Sequence, residues 1–400
     1  MRRPVLAGLR RRGARASRLG RLLRATRAVR VLNRDELVRR ATAESLLWDL
    51  PPLDEGEPDP SLSGPVRPTP EPRPGVQIDD AHPTEGRPPF VAELHDVRLT
   101  GPVPLALTPD GRIVKQVLIS SDDDDGRVDR ALQEGVREQG IGPTLRGLRR
   151  RAPAPALELE CAAVLSGRSN AYYHFVCDQL PKLRGVEHYA AETGRMPTLI
   201  LHRDTTRWQR ELLEIAGAGR DDTIEWPGGE ARVERLVVPS HAEVTPGTCA
   251  WLRERLWAGA DRVLADGSRP GPGARLLISR RDARRTRYIA DEERLMEALS
   301  DLGFQLVTLS EISEATTIAL FREAEIVVGT HGSGLTNALY CERASILEIF
   351  GSSIRPYFFR LARAIGLPYR YELADESEGE VRIDVGRLVA VVHEMLQPDR

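Results

Sequence analysis

Cysteine is scarce in this sequence. Cys161, Cys177, Cys249 and Cys341 are the whole set, widely spaced and without a CxxC pair. That excludes a zinc-ribbon site and a secreted disulfide framework, and suits a reducing compartment. Long apolar runs are missing as well: no stretch of about 18 apolar residues offers a spanning helix. The basic N-terminal stretch lacks an apolar core and a small-residue cleavage site, so it does not read as a signal peptide. Lysine is nearly absent, with only Lys115 and Lys182, and arginine carries almost all the positive charge. A formal net charge of −2 argues against nucleic acid as the main partner. These absences point to a protein that is cytoplasmic, or peripheral at the inner face of the cell membrane.

The 400 residues, 41 % of them hydrophobic, are enough for two domains with appendages. Residues 1–30 hold eleven arginines and no acid, interspersed with leucine. As a helix this stretch would suit an anionic membrane surface, each basic residue adding about 1 kcal/mol; the alternative is a solvated tail. Arginine at every third position from Arg15 to Arg30 drifts around a 3.6-residue helix and blurs any amphipathic face. Residues 51–90 contain twelve of the 29 prolines and read as an extended linker. The expected organisation is a basic segment over 1–50, a Pro-rich linker over 51–89, and an αβ lobe over 90–268. A Rossmann-like lobe over 269–400 follows, and folded structure is expected to begin near Phe90.

Between 156 and 264 strands and helices alternate loosely, and "GSRPGPG" (267–273) reads as a hinge of turn residues. Beyond it the alternation is regular: "ARLLIS", "FQLVTL", "IVVGT", "SILEIF" and "YRYEL" read as strands, separated by helical patterns. Short β-rich runs between helices indicate a parallel, Rossmann-type sheet. Two such lobes with a pocket between them suit a nucleotide enzyme.

The chemistry concentrates in a few places. "IVVGTHGSGLTNALY" (326–340) runs from a strand into a glycine-rich turn and a helix start. Gly332 and Gly334 would admit an anion close to the backbone, and the amides of Ser333, Gly334, Leu335 and Thr336 would face it at a helix N-terminus. Thr330, Thr336 and Asn337 add donors, with His331 in the mouth; an ordinary turn capped by Ser333 is the alternative. Ser279, Arg280 and Arg281 follow the first strand of the lobe on the same sheet edge, where arginine suits a diphosphate. A surface arginine run is the alternative there. Glu348, near the end of "SILEIF", would accept from two ribose hydroxyls or simply lie in solvent. In the other lobe, His174 and Asp178 are four apart in "SNAYYHFVCDQLPKL" (169–183), so one helical face presents imidazole and carboxylate. Such a pair serves as a base with its orienting partner, as half a metal site lacking a third ligand, or as structure. The run Asp122–Asp125 beside Gly126 reads as an acidic turn rather than a metal site.

Three segments together resemble the glycosyltransferase family 61 catalytic domain, once called DUF563, with its capsular-polysaccharide-type members. They are "NAYYHFVCDQLPKL", "LLISRRDARRTRYIADEERLMEAL" and "GFQLVTLSEISEATTIALFREAEIVVGTHGSGLTNALYCERASILEIF", covering roughly Ser169 to Phe350. The resemblance implies a GT-B-like α/β fold, with two Rossmann-like lobes around a cleft. It implies an inverting, metal-independent and cofactor-free transfer from a nucleotide-sugar donor to a hydroxyl of a glycan or lipid-linked acceptor. On that pattern Arg280, His331 and the amides after Gly332 hold the diphosphate, Glu348 the ribose, and Asp178 is the base oriented by His174. Cys177 stands where the family carries larger residues. A nucleotide-sugar epimerase or a non-catalytic binding module of the same shape are the competing expectations.

Overall fold

The computed structural model describes residues 30–54, 77–78, 86–118, 126–139, 144, 147–148, 156–165, 171–264, 271, 273–283 and 286–397. The arginine-rich residues 1–29, most of the Pro-rich linker, the acidic run 122–125 and most of the 267–273 hinge lie outside them. The protein has a mixed α/β fold built on two main sheets. No helix among the described residues is long and apolar enough to cross a membrane.

The first is a nine-stranded mixed sheet whose central strands, Phe90–Thr100 and Glu230–Pro239, run antiparallel to each other. Leu157–Val164, Thr198–Leu201 and Thr223–Glu225 continue it in parallel. Folded structure starts well before Phe90, contrary to the sequence expectation. Arg30–Leu32 pairs with Arg112–Val114, and Leu47–Asp49 pairs with Phe90–Ala92. Between them the helix Arg34–Ala43 buries Leu37 and Ala41 on this sheet, capped by the Asn33 side chain accepting from the Glu36 amide. The arginine content hid an amphipathic helix whose apolar positions are few but fully used. The proline-rich region is also tied at both ends. Asp54 caps the helix α1 (Pro246–Val263) by accepting from the Gly247 amide at 2.6 Å, and Gln77–Ile78 pairs with Ser353–Ile354 beside the second sheet.

The second sheet holds five parallel strands: β1 (Ala274–Ile278), β2 (Phe304–Val307), β3 (Ala324–Thr330), β4 (Ser345–Phe350) and β5 (Tyr369–Leu373). Their spatial order is β2-β1-β3-β4-β5. The strands read as near-continuous apolar runs because both faces are covered. Leu277, Ile326, Val328 and Leu347 pack beneath α2 (Glu292–Ser300) and α5 (Val385–Leu396). Leu276, Ile278, Val327 and Ile346 face the opposite way, toward α3 (Glu314–Arg322) and α4 (Tyr357–Ala364). That second face belongs to the same apolar cluster as Phe175, Leu212, Leu252 and Leu256 of the first unit. Helix α1 packs on α3, so the two sheets share a continuous core. Each fully buried aliphatic side chain there contributes roughly 1.5–3 kcal/mol.

Candidate functional site

The order β2-β1-β3-β4-β5 reverses direction between β1 and β3, and ligands of open α/β sheets sit beyond the strand ends at such a point. Ile278 pairs with Gly329 in register, so the residues that follow both strands emerge side by side. After β1 come Ser279 and Arg280; after β3 come His331 and Gly332. Their meeting is tight. A Cβ on Gly332 would lie 1.8 Å from Nη1 and 2.5 Å from Cζ of Arg280. Gly332 has φ 168°, ordinary extended backbone, so glycine is required here by the guanidinium and not by conformation.

Arg280 donates Nε–H to the Thr286 carbonyl at 3.3 Å, and no carboxylate pairs with it among the described residues. Burial lowers its pKa from the usual guanidinium value, nearby Arg287 lowers it further, and Asp282 opposes both. Arg281, adjacent in sequence, is committed elsewhere. It pairs with Glu292 at 2.8 Å and with Glu293 at 3.1 Å, in the first turn of α2. Ser279 donates to Glu292 at 3.1 Å and is buried. Of the three residues expected to hold a diphosphate, the structure brings only Arg280 to the glycine loop; alternation along the chain sends its neighbours toward α2.

The loop continues into a 3-10 helix, Ser333–Tyr340, with Gly332 at its N-cap. The Leu335 amide bonds the Gly332 carbonyl at 2.9 Å, and in a 3-10 helix the Thr336 amide likewise turns inward. Only the amides of Ser333 and Gly334 stay in the half-exposed mouth, two rather than the four expected. Leu335, Thr336 and Asn337 are at most 1 % exposed, and the Asn337 amide group donates to the Gly334 carbonyl. They support the loop from beneath instead of lining it.

His331 is 5 % exposed and held on three sides. Its amide donates to the Ile349 carbonyl, and its ring stacks on Phe350 with centroids 5.2 Å apart. Nδ1 lies 2.5 Å from Glu348 Oε1, while the Tyr369 hydroxyl donates to Oε2 at 2.5 Å. Burial, then the charge of Glu348, pushes the Tyr369 phenol up, so it stays a donor. Glu348 is 0 % exposed with both oxygens engaged. The ribose role expected for it therefore fails on geometry: Glu348 orients His331. A carboxylate at Nδ1 places the proton there and turns Nε2 away from the strand.

His174 and Asp178 lie in the first unit, with Nδ1 of His174 2.6 Å from Asp178 Oδ2. They sit on a π-helical turn, His174–Gln179, where the Leu180 amide bonds the Phe175 carbonyl five residues back. Pro181, which has no N–H, follows directly, and the α-helix resumes at Lys182. The regular helical face expected to present His174 and Asp178 is thus a wide turn instead, a feature frequent at functional positions. Asp178 is buried, whereas the His174 side chain is 31 % exposed.

Aromatic rings join this turn to the second sheet. Tyr173 packs on Tyr357 and Phe358 of α4, at 5.3 and 5.9 Å, and Phe358 in turn packs on His331 at 5.3 Å. One aromatic layer therefore separates the two histidine pairs. Beside it the Tyr172 hydroxyl donates to Glu314 at 2.6 Å and lies 3.0 Å from the Tyr340 hydroxyl. Burial pushes the Glu314 carboxyl up to about 7, against the hydrogen bond from Tyr172. Tyr172, Tyr369 and Arg287 went unread in the sequence, since their partners are distant along the chain.

Among the described residues no group of three or more His, Cys, Asp or Glu is placed to hold a metal ion. Arg280, the amides of Ser333 and Gly334, and His331 are the polar groups that meet at the glycine loop. The family described as Glycosyltransferase 61 matches this chain over residues 172–347. No curated protein matches it. The matched span holds His174, Asp178, Arg280, His331 and the glycine loop, and stops one residue short of Glu348. The chain carries a glycosyltransferase family 61 domain and is a glycosyltransferase.

Proposed function

We propose that the enzyme transfers a sugar, with inversion and without a metal, from a nucleotide-sugar donor to a hydroxyl acceptor in glycan or polysaccharide synthesis. The observation that carries this reading is the seat of Arg280 against Gly332, next to His331, at the switch point of the five-stranded sheet. A cation with no carboxylate ion pair among the described residues, two half-exposed amides and an oriented imidazole converge there, the donor set that suits a diphosphate.

The chemistry follows from which sheet supplies which group. The acceptor oxygen attacks the anomeric carbon on the face opposite the diphosphate, as inversion requires. Its proton passes to a base, and the bond from that carbon to the diphosphate breaks with its electrons leaving on phosphate oxygen. Arg280, His331 and the Ser333 and Gly334 amides stabilise the charge that grows on the leaving group. The base comes from the first unit, in a GT-B-like division of labour. Asp178 was expected to be that base with His174 orienting it; burial favours the reverse order. His174 is the exposed member and takes the proton, while Asp178 accepts from Nδ1 and orients the ring.

An anionic membrane surface bound through the arginine-rich residues 1–30 would bring the enzyme to a lipid-linked acceptor. The test of the whole reading is a thermal-shift screen of the full chain with nucleoside diphosphates and their sugars. At least one should raise the melting temperature, and slow release of nucleoside diphosphate from its sugar should accompany it. A panel without any shift or release would reject the donor-site reading.

A further inference from the structure

Arg287 stands out as a residue in a costly conformation with a charge left over. Its φ is +58°, a left-handed backbone that bulky side chains adopt only at a cost of about 1 kcal/mol or more. The surrounding structure holds it there. Its carbonyl accepts from the Thr330 hydroxyl at 2.6 Å, one residue before His331. Directly after it, Tyr288 and Ile289 pair with Glu380 and Val381, and the Tyr288 amide bonds the Gly379 carbonyl. Directly before it, the Thr286 carbonyl accepts from Arg280 Nε. Residues 286–287 are therefore tied to both arms of the switch point, to Arg280 after β1 and to the end of β3.

The charges are arranged unusually. Arg287 is close enough to Arg280 for its charge to disfavour the protonated guanidinium there. Among the described residues neither arginine has a carboxylate ion pair, although Arg281 next door has two. Asp282 offsets part of the repulsion at Arg280 without an ion pair to it, and a multivalent anion held between the two like charges would remove the rest. A lone phosphate needs one such arm; a diphosphate spans two.

We propose that Arg287 is the second arm of the anion clamp, gripping a diphosphate together with Arg280. This rests on the donor-site reading above and adds to it a residue that sequence position did not mark. The left-handed backbone then has a use: it turns the residue out of the strand while the carbonyl stays locked to Thr330.

The test titrates inorganic pyrophosphate, and separately inorganic phosphate, into the full chain by calorimetry. Wild type is compared with Arg287→Gly, Arg287→Asn and Arg280→Ala. Glycine and asparagine both accept the left-handed conformation, so each removes the charge without breaking the turn. The expected result is a loss in pyrophosphate affinity of roughly tenfold or more in both Arg287 variants, with a smaller loss for phosphate and no fall in melting temperature. Unchanged pyrophosphate affinity in the Arg287 variants, with a loss in Arg280→Ala, would overturn the second arm and leave the donor site standing. Full affinity in Arg287→Asn with loss only in Arg287→Gly would assign Arg287 a structural role and overturn the proposal. Wild type that binds neither pyrophosphate nor any nucleoside diphosphate would sink both.

Discussion

Nδ1 of His331 and Oε1 of Glu348 lie 2.5 Å apart, one just past the end of β3 and the other inside β4, with Glu348 closed from solvent. The relationship makes Glu348 the residue that engages Nδ1 of His331 and leaves Nε2 turned away from the strand. Glu348→Gln keeps the shape but removes the charge. We expect turnover on the best donor to fall by tenfold or more, the scale of one charge-assisted hydrogen bond at about 1.5–3 kcal/mol, with donor affinity less affected. Steady-state kinetics separate the two; an unchanged kcat would show that His331 needs no such partner.

Gly332→Ala tests the close approach of Arg280. The backbone at φ 168° accepts alanine, but the new methyl would occupy the place of Nη1, 1.8 Å away. The guanidinium must swing out, so nucleoside-diphosphate affinity should fall toward that of Arg280→Ala while the melting temperature changes little. Calorimetry and thermal denaturation on the same sample read both.

The order of roles in the first-unit pair is open to a kinetic test. His174→Ala should abolish transfer, and Asp178→Asn should reduce kcat strongly, because an amide at 2.6 Å from Nδ1 favours the wrong tautomer. Donor binding should survive in both. Should Asp178→Asn lose donor binding together with turnover, the pair would be structural.

Glu314 links stability to pH. Its carboxyl is pushed up to about 7 from an ordinary 4.5, chiefly by burial. A raised carboxyl binds a proton in the folded state that the unfolded chain has released, so its stabilisation is full below about 4.5 and fades as pH rises through 7. The total is on the order of 3 kcal/mol. Glu314→Gln should flatten this part of the profile, with urea midpoints at pH 5 and pH 8 drawing together relative to wild type.

Truncation separates tail from fold. Removing residues 1–44 takes away the strand Arg30–Leu32 and the helix Arg34–Ala43, with buried Leu32, Leu37 and Ala41. A drop in melting temperature of several degrees is expected, each lost leucine costing about 1.5–3 kcal/mol. Equal stability of this truncated chain and the full one would show that the segment is not integral to the sheet.

Much of the second sheet was legible because strands covered on both faces read as unbroken apolar runs, as "IVVG" and "SILEIF" do. Arg280 and Arg281 were not separable in that way. Both follow a strand, and the difference rests on Glu292 and Glu293 at the start of α2, which pair with Arg281 and not with Arg280. Glu348 misled for a similar reason. A carboxylate near a strand end reads as a ligand group until Tyr369 and His331 are seen to use both its oxygens. The π-turn at His174 left one mark, Pro181, whose missing N–H is local information.

Local pattern thus sufficed for the α/β class, the parallel strands of the second sheet, the glycine loop after β3 and the pairing of His174 with Asp178, since periodicity, turn chemistry and four-residue spacing act over a few residues. It did not show the antiparallel strands at the centre of the first sheet. The site depended on contacts between residues far apart in the chain. Thr330 reaches Arg287 across 43 positions, and Tyr172 reaches Tyr340 across 168. Which arginine is ion-paired, which carboxylate is spent inside and which histidine faces out follow from how the strands are ordered and how α3 and α4 close over them. Those facts come from packing, where side chains compete for a limited number of partners.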